Sequence, residues 1–344
     1  MQAARLHAYG KPLVIDDVPR PAPGPGQVVI RVEGAGFCHS DLHIISGDIQ
    51  ILPRMPFTLG HENAGTVAGI GAGVHAVKEG DHVAVYGGWG DGYCDYCVTG
   101  EENLCPTMQW VGLSEHEGGY AEYLLVPHER YLLRLNTLEP KVAAPLTDAA
   151  LTPYRAITRA LPCLPRDYPT LVIGCGALGQ FGVKILRLLS GTEIIATDVD
   201  DGKLKTARES GATHTINARD ADLKQKILDI ARGIGVSAAF DFVGADSTLE
   251  LALASTRPAG RVVQVGLAGG TAHITALKTV KPEVSVSVSW WGNIRELREV
   301  LALAESGRLT PIPLEFWPLE KINEVYERVK HGQVAGRAVL TPAS

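Results

Sequence analysis

Three of the chain's six cysteines, Cys94, Cys97 and Cys105, crowd into twelve residues, and in a reducing compartment such crowding favours a metal over disulfides. Buried free thiols are the other reading; that suits Cys163 and Cys175, whose neighbours are apolar, better than this polar, glycine-flanked cluster. A second concentration of metal-binding and proton-carrying groups lies earlier. Gly36-Phe37-Cys38-His39-Ser40-Asp41-Leu42-His43 brings a thiol, a hydroxyl and two imidazoles to the end of a strand, and Gly60-His61-Glu62 adds an imidazole beside a carboxylate. A lone Cys or His is more often structural than a ligand. The combination carries the signal.

A third motif is suited to phosphate. Gly174-Cys175-Gly176-Ala177-Leu178-Gly179 matches G-x-G-x-x-G, directly follows the apolar run 171–173 and opens an apolar-faced helix. The first glycine permits a tight turn, the second lets backbone approach a pyrophosphate, and the third allows close helix–strand packing. Asp198 ends the next strand about 20 residues on, where a carboxylate accepts hydrogen bonds from both ribose hydroxyls and repels a 2′-phosphate. Val199, Asp200 and Asp201 follow it, with no arginine, so NAD is expected rather than NADP.

The elements that must hold these groups change character along the chain. The first third reads as β, with strands at 28–32 and 82–86 and a rigid turn at 21–26. From about Leu151, strand runs at 171–173, 193–197, 238–242 and 261–265 alternate with helices at 180–189, 202–210, 221–232 and 247–255. This alternation predicts a parallel sheet covered on both faces. Residues 284–290 alternate valine and serine, predicting a half-exposed edge strand open to pairing with another subunit. Amphipathic helices at 294–306 and 319–330 and a strand at 337–340 complete the pattern.

The 344 residues suffice for two domains, and 45% hydrophobic with 20% charged residues is the composition of a soluble globular protein. A net charge of −6 gives no basis for nucleic-acid or acidic-membrane binding. His7, Lys11 and Asp16 interrupt any signal-peptide core, and the most apolar stretch, 170–190, carries Lys184 and Arg187. A cytoplasmic location is expected.

Taken in order, Cys38-His39-Ser40-Asp41, Gly60-His61-Glu62, the cysteine cluster and the Gly174 fingerprint resemble the zinc-containing alcohol dehydrogenases of the medium-chain dehydrogenase/reductase family over the whole chain. The resemblance implies an α/β protein: a GroES-like β-rich catalytic domain (1–148), a Rossmann domain with a doubly wound parallel sheet (149–289), and a return to the catalytic domain (290–344), with the active site in the cleft. It implies a catalytic zinc held by Cys38, His61 and a third residue shortly before the nucleotide-binding segment. Family members often have a second cysteine there. Here Asp148 stands in that region, which resembles the secondary-alcohol dehydrogenase and carbonyl reductase subgroup in which aspartate replaces the thiolate; an N-cap of the following helix is the alternative. Glu62 is placed behind the metal, and Asp41 orients His61.

A structural zinc is implied at Asp91, Cys94, Cys97 and Cys105, where the family has four cysteines. The same resemblance implies that Ser40 takes the alcohol proton and passes it, through the nicotinamide ribose, to His43. His39 and Arg337 are placed on the pyrophosphate. Ala177, Leu178 and Lys203 join the glycines and Asp198 in holding the dinucleotide, while Thr152, Val243 and Val265 line the nicotinamide and adenine sites. By the same resemblance Trp290 and Trp291 are expected to border the substrate and to favour ketones with one small and one large substituent. The expected activity is NAD(H)-linked, zinc-dependent interconversion of alcohols with ketones or aldehydes by a homodimer or homotetramer. A zinc-free quinone or enoyl reductase and a non-enzymatic nucleotide-binding protein are the rivals.

Overall fold

The computed structural model describes residues 1–275 and 279–342. They form two compact units, Met1–Leu151 with Gly292–Ser344, and Thr152–Trp291. Among the described residues no helix is long and apolar enough to cross a membrane.

The first unit is built on antiparallel sheet. Its largest sheet runs in the order Leu132–Arg134, His82–Val85, Glu62–Ile70, Val28–Gly36, Arg337–Leu340 and Leu314–Trp317, with Tyr123–Val126 also on Val28–Gly36. Valine and isoleucine supply its inner face: Val28, Ile30, Val32, Val83 and Val85 are fully buried. The carboxy-terminal strand belongs here because Val339 and Leu340 pair with Gly36 and Ala35. That pairing carries Arg337 to the strand end where Phe37 and Cys38 begin the next element.

The second unit is a six-stranded, wholly parallel sheet in the order His214–Asn217, Ile194–Asp198, Thr170–Ile173, Val236–Asp241, Thr256–Gln264 and Ser285–Val288. The strand order reverses between Thr170–Ile173 and Val236–Asp241, and in such sheets ligands bind beyond the carboxyl ends of the strands at that reversal. Leu171, Ile195, Ala239 and Val262 fill the core beneath it.

Several elements depart from the sequence reading. Segment 39–46 is a helix, His39–Ser46, rather than a continuation of the strand end. The helix after the glycine loop starts at Ala177 because Gly176 itself is its N-cap, so the last residues of the fingerprint already lie in its first turn. The predicted helix at 319–330 opens as a 3-10 turn, Leu319–Lys321, before Ile322–Lys330. The edge strand is only Ser285–Val288 and all four residues are exposed, so the alternation does not mark a buried face within this chain.

Candidate metal centre and dinucleotide cradle

Strand Val28–Gly36 delivers Cys38 to the N-cap of helix His39–Ser46, where Asp41 Oδ2 accepts the Cys38 backbone N–H at 2.9 Å. His61 and Glu62 arrive at the start of strand Glu62–Ile70, and Asp148 follows the 3-10 turn Ala144–Thr147. The sequence separates these groups widely; the sheet gathers them. Asp148 Oδ2 lies 3.7 Å from Cys38 Sγ and 3.6 Å from His61 Nε2, and Ser40 Oγ is 3.5 Å from the same His61 nitrogen. One ligand atom from each of Cys38, His61, Glu62 and Asp148 falls within 4.8 Å of the others, and all four residues are buried.

The electrostatics of this cluster call for a cation. Asp41 Oδ1 faces His61 Nδ1 at 3.4 Å, leaving Nε2 turned toward Cys38 and Asp148. Arg337 donates to Glu62 Oε1 at 2.6 Å and to the Phe37 carbonyl at 3.1 Å, and its guanidinium also lies 3.8 Å from Cys38 Sγ. Burial pushes the Cys38 thiol up, but Arg337 and His61 outweigh it and bring the thiol below its usual range. Burial pushes Glu62 up, helped by the negative charges of Asp148 and Cys38 and opposed by Arg337. Burial opposes protonation of His61, yet the Asp41 carboxylate raises it well above the imidazole range. The acidic groups Cys38, Asp41, Glu62 and Asp148 outnumber the single guanidinium of Arg337, so the pocket favours bound positive charge. A divalent cation supplies that charge, opposing the upward shifts of His61 and Glu62 and deepening the lowering of Cys38. Glu62 Oε2, buried with no hydrogen-bond partner among the described residues, has spare lone pairs for it. The donor set of one sulfur, one imidazole nitrogen and carboxylate oxygens suits zinc.

The second cluster is also assembled. Asp91, Cys94, Cys97 and Cys105 each offer one ligand atom within 4.8 Å of the rest. Asp91 Oδ1 accepts the Tyr93 and Cys94 backbone N–H groups at 2.9 Å, and Oδ2 accepts the Thr107 hydroxyl at 3.0 Å. Those backbone bonds hold its carboxyl far below the usual carboxylate range, so it is a fixed anion. Burial pushes Cys97 up to about 12, a proton that a bound metal must displace. Arg130, donating to the Gly90 carbonyl at 2.7 Å, and Glu102, accepting from Ile294 N at 2.6 Å, tie the lobe to its unit.

In the parallel-sheet unit, Gly174 adopts φ +86°, and a Cβ on Gly179 would sit 1.8 Å from the Gly174 carbonyl oxygen, so neither position tolerates a side chain. Around Gly176 nothing lies within 4 Å of such an atom, which keeps the helix N-terminus open. Asp198 Oδ2 accepts Cys175 N at 2.7 Å, clamping the ribose-type acid to the glycine loop. Val243 lies against Gly174, and Val265 N donates to Asp241 O at 2.8 Å, bringing both valines to the same strand ends. Lys203 opens helix Asp201–Glu209 with its backbone N–H capped by Asp200 at 2.8 Å. Thr152 is buried on helix Leu151–Ala160. Trp290 is exposed, and Trp291 is buried with φ +46°.

His43 shares a helix face with Ser40, and its Nδ1 lies 3.5 Å from Asp48 Oδ2; the His39 and His43 rings meet edge-on at 6.2 Å. Arg337, which the resemblance assigns to pyrophosphate, has its guanidinium buried on Glu62. Two contributors went unread in the sequence. One is this Arg337–Glu62 pair; the other is Tyr120, whose hydroxyl donates to Asp41 Oδ2 at 2.7 Å.

Residues 24–137 match the model of the alcohol dehydrogenase GroES-like domain, and residues 177–306 that of the zinc-binding dehydrogenases. An NAD-dependent alcohol dehydrogenase from Sulfurisphaera tokodaii is 37% identical, covering 99% of this chain and all of its own. The crystal structure of an alcohol dehydrogenase from Aeropyrum pernix superposes with a TM-score of 0.93 at 36% identity, over 99% of this chain and 100% of that one. Acetophenone reductase from Geotrichum candidum, solved in complex with NAD, gives 0.89 at 31%, over 99% and 97%. The chain belongs to the zinc-binding, GroES-like alcohol dehydrogenase family.

Proposed function

We propose that this chain is a zinc-dependent, NAD-linked dehydrogenase that interconverts secondary alcohols and ketones. The observation that carries the reading is the buried convergence of Cys38, His61 and Asp148, beside Glu62 and with Ser40 at its edge. Cys38, His61 and Asp148 would hold the catalytic metal, and Asp91, Cys94, Cys97 and Cys105 a structural one. Bound in these places, zinc supplies Lewis acidity to the substrate oxygen and the dinucleotide supplies the hydride acceptor or donor. Asp41 keeps the Nδ1 of His61 engaged so that Nε2 faces the pocket. Ser40 Oγ would take the proton that the alcohol oxygen gives up and release its own toward His43, which has Asp48 beside it. Asp198, with the glycine loop, holds the adenosine ribose. Trp290 and Trp291 select the substituents of the substrate. The test is a panel of primary alcohols, secondary alcohols and ketones assayed with both dinucleotides, with zinc counted per chain. Activity that survives complete removal of metal overturns the reading.

Cofactor choice rests on Asp198. Asp198→Ala removes charge-assisted hydrogen bonds worth about 1.5–3 kcal/mol, so the KM for NAD should rise about tenfold to a hundredfold while NADP loses its penalty. Steady-state kinetics with each dinucleotide measure this, and an unchanged NAD/NADP preference counts against the assignment.

The assembly we propose is a homodimer, or a homotetramer built as a dimer of dimers, joined through the exposed strand Ser285–Val288, with Val288 65% exposed. Val288→Lys should give a smaller species in sedimentation velocity; an unaltered mass rules out this edge. A cytoplasmic location accords with six free cysteines, none in a disulfide among the described residues.

A further inference from the structure

We propose that Tyr120 is a positioning residue of the metal pocket: its buried phenol holds the Asp41 carboxylate in the rotamer that turns His61 toward Cys38 and Asp148. The inference rests on the reading of that pocket as a zinc site. Tyr120 is fully buried, and its ring stacks on Phe37 at 5.7 Å with an 8° interplanar angle. Its hydroxyl donates to Asp41 Oδ2 at 2.7 Å, with the Gly36 carbonyl a longer alternative at 3.3 Å. Oδ2 also accepts the Cys38 N–H, so one carboxylate oxygen is fixed from two directions and the other, Oδ1, is left facing His61 Nδ1. Remove the phenol and Asp41 keeps a single anchor, on a residue that is itself a ligand.

The backbone around Tyr120 acts on the same imidazole. Gly118 N, Gly119 N and Tyr120 N donate to the carbonyls of Thr58, Gly60 and Leu59 at 2.8, 2.9 and 3.0 Å, so this segment splints the residues that lead into His61. The fit is close enough that a Cβ on Gly60, at φ +103°, would lie 2.6 Å from Tyr120 Cδ1. Segment 118–120 thus braces the backbone leading into His61, while the Tyr120 hydroxyl reaches its outer ring nitrogen through Asp41. Groups that orient a metal ligand from behind typically change metal affinity 10–100-fold when removed.

The experiment follows zinc release into excess chromogenic chelator from the zinc-loaded parent, Tyr120→Phe, Asp41→Asn and the double variant. Cys38→Ala identifies which released zinc belongs to this pocket. Tyr120→Phe should release that zinc about tenfold faster. Asp41→Asn should release it faster still, and adding Tyr120→Phe to it should change nothing, because the tyrosine acts through the aspartate. The His61 Nδ1 proton, followed by nitrogen-15 NMR, should shift in Tyr120→Phe, which a purely packing role would not cause. A single fluorine placed ortho to the hydroxyl of Tyr120 makes it a stronger donor and should slow release, a test that survives if the phenylalanine chain fails to fold. Parent-like release from Tyr120→Phe or from the fluorinated chain, or effects of the two substitutions that multiply, overturn the inference alone. Zinc release insensitive to Cys38→Ala overturns both the inference and the reading beneath it.

Discussion

Cys38→Ser should lose one zinc per chain and cut kcat/KM by about a thousandfold or more, since Lewis-acid stabilisation is worth several kcal/mol and each 1.36 kcal/mol is a factor of ten. The argument runs through charge and softness together. Cys38 is the sole sulfur of its cluster, and Arg337 and His61 already bring its thiol below the usual range, so it is ready to ligate as thiolate. Serine at that position keeps the size and loses both properties. Asp148 gives the sharper comparison. Asp148→Asn keeps the shape and removes one of the negative charges that balance a divalent cation, so zinc binding should weaken strongly. Asp148→Cys restores the charge with a ligand zinc equally accepts, and activity should stay within about tenfold of the parent. Metal analysis by atomic emission, paired with ketone reduction rates, separates loss of the ion from loss of turnover. A Cys38→Ser protein that keeps its zinc and turns over like the parent would end the assignment.

Much of this was legible in the chain itself. The glycine loop was legible because Gly174 and Gly179 answer local steric demands, and Asp198 followed at the distance that one helix and one strand impose. Cys38 and His61 stand out by type and neighbours, but Asp148 joins them in the sequence only through the family resemblance; the fold brings the three together. The supporting groups could not be read. Tyr120 sits in Gly118-Gly119-Tyr120, where nothing in the spacing points to Asp41; only the folded sheet brings the two together. Helix His39–Ser46 is too short for its periodicity to stand out, and it is set by Asp41 capping Cys38. The exposure of Val286 and Val288 defeated the period-two rule, which assumes that the apolar face is buried by the same chain. Residue types announce chemistry; the restraints that aim them are tertiary.

The Arg337–Glu62 pair shows how large such a restraint is. Arg337 is 5% exposed and Glu62 fully buried, so removing the guanidinium takes away the cation that most favours the ionised form of Glu62 beside Asp148 and Cys38. Breaking a buried pair from one side costs about 3–5 kcal/mol, a large fraction of the stability of an ordinary domain. Arg337→Met should therefore lower the metal-free chain's denaturation midpoint steeply. The double variant Arg337→Met/Glu62→Met should recover most of the loss, because two apolar groups of similar volume carry no unpaired charge. Zinc enters the same balance. A bound dication takes over part of the compensation that Arg337 provides, so added zinc should stabilise Arg337→Met by more than it stabilises the parent. Urea titrations of the four proteins, in chelator and in zinc, measure each term. If the single and double variants unfold together, and zinc shifts both by the parental amount, Glu62 is not held as an anion by Arg337. The charge deficit assigned to the pocket would then be smaller than the structure implies.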